Sequence, residues 1–130
     1  MREFLRDDSG SSAVEFVLVG ILLTALTLGV LQLALVVYLR NLTHDAAVEG
    51  AYHAALADVA VSAGADRAVS VIERTVGEGF VASADARIDG SGSSEAVVVT
   101  VVATLPILGI WGVPEGWEVT AHAPRERLEG

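Results

Sequence analysis

Residues 10–40 read GSSAVEFVLVGILLTALTLGVLQLALVVYLR, and the run 16–39 inside that stretch holds twenty-four residues with no acidic, basic or histidine side chain. Only Thr24, Thr27, Gln32 and Tyr38 interrupt its apolar character. As a helix it would be about 36 Å long at 1.5 Å per residue, longer than the roughly 30 Å hydrocarbon core of a bilayer. A secretory signal peptide carries an apolar region of only about 7–15 residues before a small-residue cleavage site, so the excess length here predicts a retained membrane helix. Tyr38 and Arg40 suit the far interface, one as an amphipathic ring and the other as a cation that snorkels to headgroups. Arg2, Arg6 and the terminal amine outweigh Arg40 by the positive-inside count, which places the N-terminus in the cytoplasm and the C-terminus outside.

Working outward, the whole chain of 130 residues allows one compact domain besides the membrane segment. Its formal charge is −9, and from residue 41 onward five Arg stand against thirteen Asp and Glu. Such a surface repels phosphate backbones, so nucleic acid is not an expected partner. With no Cys there is neither a disulfide framework nor a thiolate zinc site, and stability must come from packing or assembly.

Glu15 stands one residue before the uncharged run and just after the small residues Gly10, Ser11 and Ser12. A lone carboxylate in lipid is costly, so it either snorkels to headgroup level or meets a partner charge. On the helix beyond it, Gly20, Thr24 and Gly29, with Ala25 and Thr27 close by, supply small residues at roughly helical spacing, which lets neighbouring helices approach.

Gly10-Ser11-Ser12-Ala13-Val14-Glu15-Phe16 resembles the processing site of type IV-related prepilins, in which a peptidase cuts after a Gly and Glu is the fifth residue of the mature chain. Counting Ser11 as the first makes Glu15 the fifth. Within that group Ala13-Val14-Glu15-Phe16 entering an apolar run is most similar to the TadE-like minor pilins, or pseudopilins, of tight-adherence (Flp-type) pilus systems. About ninety residues beyond Arg40 suit a minor pilin better than a major one, which is little more than the helix. Asp7-Asp8 makes the leader more acidic than is common in such prepilins. The resemblance implies cleavage between Gly10 and Ser11 by a prepilin peptidase, and pairing of Glu15 with the freed Ser11 amine of a neighbouring subunit. It also implies other pilins or pseudopilins, an inner-membrane assembly platform and the lipid bilayer as partners, and a place outside the cell once the subunit is in a pilus.

After the membrane helix, Ala47, Ala51, Ala55 and Val59 recur every four residues, with Asp45, Glu49 and Asp58 elsewhere around the wheel, which predicts that the helix continues. Ser62-Ala63-Gly64 reads as its stop and Asp66 as the N-cap of a shorter helix, with Val69, Ile72 and Val76 on one face and Gly77 and Gly79 at its end. The period then becomes two: Phe80, Ala82, Ala84, Ala86 and Ile88 alternate with Val81, Ser83, Asp85, Arg87 and Asp89 as in a half-buried strand. A turn over 89–94, a Val-dense strand over 96–105 paired antiparallel to the first, and a third strand over 117–122 complete the pattern. The segment 106–114 between the last two strands is expected to be an apolar loop bounded by prolines, whose Ile107, Leu108 and Trp111 either fold back onto the sheet or face another pilus component.

The expected fold class is α+β, divided into a leader over 1–10, a transmembrane and assembly helix over 11–40 and an extracytoplasmic domain over 41–130. No catalytic constellation stands out. His44 and His53 are nine residues apart where four would share a helix face, His122 is remote from both, and neither a phosphate loop nor a Gly-x-Ser-x-Gly pattern occurs. The expectation is a non-enzymatic minor pilin or pilus assembly factor in the cytoplasmic membrane, without cofactor or metal. The rival is an unprocessed single-pass scaffold or regulator in which the leader and Glu15 are incidental.

Overall fold

A computed structural model of the chain describes residues 8–107 and 111–127, with side chains described for 10–105 and 116–127. Helix α1 runs without interruption over Asp8–Ala55, helix α2 over Ser62–Val76, and three strands follow: β1 Val81–Asp89, β2 Ala96–Ile107 and β3 Trp111–Pro124. The chain divides into two compact units, Met1–Leu35 and Val36–Gly130.

In the first unit every side chain from Gly10 to Leu31 is exposed, with Phe16 at 79 %. A helix that is apolar all round and exposed on every side among the described residues suits a nonpolar solvent or the company of other helices. By length and composition it can cross a membrane, and it fits a single-pass anchor.

In the second unit the sheet is an antiparallel meander in the order β1-β2-β3. Val97, Val99 and Val101 of β2 and Val119, Ala121 and Ala123 of β3 form its buried face together with Ala46, Ala47, Ala51, Ala54 and Ala55 of α1 and Ala68 and Ile72 of α2. An alanine-lined helix brings its backbone close to its neighbours, and glycine brings it closer still. A Cβ on Gly50 would collide with the carbonyl oxygen of Gly64, and one on Gly64 would lie 2.8 Å from both the Ala54 Cβ and the Gly50 carbonyl oxygen. The two helices therefore pack backbone to backbone, and these positions admit no side chain.

This contact changes the reading of the second helix. Ser62-Ala63-Gly64 is its first turn and not a stop, Asp66 lies inside it, and Val61 precedes it without any side-chain cap. The start is set by Gly64 docking on α1, which outweighs the roughly 1 kcal/mol of a polar cap. Its buried face runs through Gly64, Ala68 and Ile72, with Val76 packed against the core and Val69 only half-buried. The end is as expected: Gly77 takes φ of 93° and its N–H donates to the Glu73 carbonyl at 2.9 Å.

The strands also differ in detail. A bulge between Val81 and Ser83 shifts the alternation of β1, so Phe80 and Val81 both pack against the core while Ala82 is exposed. The expected apolar loop over 106–114 is largely strand, since Ile107 pairs with Trp111, Pro106 with Gly112 and Leu105 with Val113. A second irregularity, between Ala103 and Leu105, separates this outer part of the hairpin from the inner part. There Gly116 lies so close to Leu105 that a Cβ would overlap the Leu105 side chain. The indole of Trp117 meets Phe80 edge-on at 6.0 Å between ring centroids, and its buried N–H has no acceptor among the described residues.

Candidate assembly helix and the groove beside it

Gly10 and Ser11 lie in the opening turns of α1 and are exposed. Glu15 follows Ser11 by four residues, so the two share a helix face, and Glu15 makes no ion pair among the described residues. Its carboxylate and the position where a new terminus would arise are thus brought to one side of the rod.

Further along, the Thr24 hydroxyl donates to the Gly20 carbonyl and the Thr27 hydroxyl to the Leu23 carbonyl, each at 2.8 Å. Both polar groups are satisfied within the helix and need no partner in lipid. A Cβ on Gly20 or Gly29 would meet nothing within 4 Å, so neither glycine packs closely against any of the described residues. Gly20 and Thr24 share a face, but nine residues of continuous helix put Gly29 about 180° away from Gly20. Of the three residues considered as a partner surface, Leu108 and the side chains of Ile107 and Trp111 lie outside the described residues.

The three histidines are dispersed. His44 and His53 are exposed on α1, and His122 is exposed on β3 opposite Val98. Among the described residues no group of three or more His, Cys, Asp or Glu side chains could hold a metal ion.

One feature escaped the sequence reading. Where the uncharged run ends, Arg40, Asn41 and His44 of α1 and Glu118, Val119 and Thr120 of β3 line a groove of about 260 Å³. The contributing segments are more than seventy residues apart, and the only local sign is the four-residue spacing of Arg40 and His44, which shows a shared helix face but not what faces it. A second groove, lined by Ala57, Glu95, Arg125, Glu126 and Arg127, is structural. There the Glu126 N–H donates to the Ala55 carbonyl at 2.9 Å, the Arg125 N–H donates to the Glu95 carbonyl at 3.1 Å, and Glu95 pairs with Arg125 and Arg127. The chain after β3 thereby caps the end of α1.

Compared with known proteins, residues 10–51 match the family model described as TadE-like protein. The match begins at Gly10 and takes in Glu15, the uncharged run and the first alanines of the buried face. No curated protein and no solved structure matches the chain. The likeness to the TadE-like family is carried by residues 10–51, the apolar helix and the start of its continuation.

Proposed function

We propose that the protein is a minor pilin, or pseudopilin, or an assembly factor of a Tad (Flp-type) pilus, processed after Gly10 by a prepilin peptidase and supporting adherence or surface contact. The observation that carries this reading is the coincidence of the family match, which starts at Gly10, with a helix that is apolar and exposed on every side. From Gly10 to Leu31 such a rod is exposed throughout among the described residues, so its work is association: with lipid before assembly and with other pilus components afterwards. Its partners are other pilins or pseudopilins, the peptidase and the inner-membrane platform, with the N-terminus inside and the C-terminal unit outside. The role is assembly and not turnover.

The charge at Glu15 supplies the selectivity. In an apolar bundle an unpaired carboxylate is expensive, and a cationic Ser11 amine on an axially shifted neighbour removes that cost at one stagger only. The alternative, an unprocessed single-pass scaffold, needs no amine at Ser11. Intact-mass and N-terminal analysis of protein from cells with an active prepilin peptidase separates the two. The pilin reading expects a chain that begins at Ser11, and a chain that keeps residues 1–10 while pili form normally overturns it.

A further inference from the structure

The turn that joins β1 to β2 carries a chemistry that the pilin reading does not use. Asp89 is the last residue of β1, in register with Ala96, and Gly90 follows it outside the ladder. The two form the single Asp-Gly step in the sequence, and Asn-Gly does not occur. The Gly90 N–H donates to the Asp89 Oδ1 at 2.9 Å, so the side-chain carboxyl group lies against the main-chain nitrogen of the next residue. Glycine is obligatory there: φ is 89°, and a Cβ would collide with the Ser94 carbonyl oxygen. Residues 89–94 are all exposed, so water reaches both groups.

We propose that Asp89-Gly90 is a modification site, at which the folded chain forms isoaspartate spontaneously. The Gly90 nitrogen attacks Cγ of Asp89 in its protonated, neutral form. The N–Cγ bond forms, one Cγ–O bond breaks, and the proton of the nitrogen leaves with the departing hydroxyl as water. The product is a five-membered succinimide. Water then adds to one of its two carbonyls: opening at Cγ restores aspartate, and opening at the former main-chain carbonyl leaves the chain linked through Cγ, as isoaspartate. The water lost in the first step is regained in the second, so the net change is an isomerisation without a co-reactant. Two features favour ring closure at this residue. The hydrogen bond keeps nucleophile and electrophile in contact, which lowers the entropy cost of bringing them together. The glycine that the turn requires leaves the nitrogen unshielded, whereas each of the six other aspartates is followed by a residue with a Cβ. Isoaspartate inserts one carbon into the main chain where the ladder ends at the Asp89–Ala96 pair, next to Glu95, whose carbonyl accepts from the Arg125 N–H and whose carboxylate pairs with Arg125 and Arg127.

The inference stands apart from the pilin reading and is tested on the full chain in detergent. Folded protein is aged in heavy-oxygen water at mildly acid pH beside a portion unfolded in guanidinium chloride, and both are then digested with trypsin in ordinary water. The peptide from Ile88 to Arg125 contains Asp89 as its single aspartate, so isoaspartate in it, counted by electron-transfer fragmentation, reports this residue alone. In the folded chain isoaspartate at residue 89 is expected to exceed that at every other aspartate by about tenfold or more, and to form at least as fast as in the unfolded portion. Each ring opening should leave one heavy oxygen in residue 89. Asp89→Glu keeps the charge and the acceptor but has to close a six-membered ring, and should lower both signals in that peptide to background. Residue 89 is exposed, so this variant should keep the circular dichroism of the parent chain. A folded chain that isomerises more slowly than the unfolded one, other aspartates that come within about tenfold of residue 89, an isomer without heavy oxygen, or one that survives Asp89→Glu overturns the site.

Discussion

Glu15 and Gly64 are the two residues on which most depends, and they act through opposite physics. Glu15 is a charge at the entrance of an uncharged rod, and in the proposed assembly its cost is removed by a cation at a defined axial offset. Glu15→Gln and Glu15→Leu should leave membrane insertion and helix content unchanged but reduce co-assembly with wild-type subunits by at least about tenfold, the equivalent of 1.4 kcal/mol. Crosslinking of subunits in the membrane or counting of variant chains in pili reads this directly, and undiminished incorporation would sink the stagger mechanism. Gly64 acts through the absence of a side chain. Gly64→Val would place its Cβ against the Ala54 methyl and the Gly50 carbonyl, and overpacking of this kind costs about 1–3 kcal/mol. Urea unfolding followed by circular dichroism should show a lower midpoint with a similar slope.

At the level of elements, the helices are held by different forces along their lengths. The first half of α1 owes nothing to tertiary packing, since its threonine hydroxyls are bonded to its own carbonyls and its apolar side chains are exposed. The second half is held by alanines against the sheet and by the backbone contact with α2. The buried Thr43 hydroxyl, bonded to the Leu39 carbonyl at 2.8 Å, lets a polar residue enter that face without an orphaned donor. At the end of α2 the cap is conformational. Gly77 has φ of 93° with open space around its Cβ position, so Gly77→Ala tests backbone strain without a clash. It should destabilise the fold by about 1–3 kcal/mol, the cost of holding an L-residue at positive φ with extended ψ, a region that glycine alone adopts freely, seen as a lower midpoint in the same unfolding experiment. The ion pair of Arg67 with Glu49 ties α2 to α1, but it is largely exposed and contributes at most about 1 kcal/mol.

For the molecule as a whole, the boundary between Leu35 and Val36 separates two kinds of stability. The second unit contains its own core, built from residues 46–123. A chain begun at Val36 should therefore fold and remain in solution without detergent. One begun at Ser62 keeps the sheet and α2 but loses the five buried alanines of α1, and should fail to fold. Size-exclusion chromatography and circular dichroism of the two fragments check this, and a cooperatively folded 62–130 fragment would show that α1 is dispensable to the core. The full chain, by contrast, should require lipid or detergent, because the apolar helix exposes its side chains on every side.

Local patterning was sufficient for the membrane helix, its continuation through Ala47, Ala51 and Ala55, the glycine stop at Gly77 and the three-stranded antiparallel sheet. Each is a periodicity or a backbone preference that operates within a few residues. The Ala13-Val14-Glu15-Phe16 motif was legible for the same reason, and the family match covers it. Three things depended on contacts between distant segments: the start of α2 at Ser62, decided by Gly64 meeting Gly50; the bulge that turns Val81 inward; and the extension of β2 and β3 toward each other through Ile107 and Trp111. The groove that joins Arg40 to Glu118 belongs with them. Periodicity tells each residue which face of its own element it occupies, but only the packed chain determines which other element stands opposite.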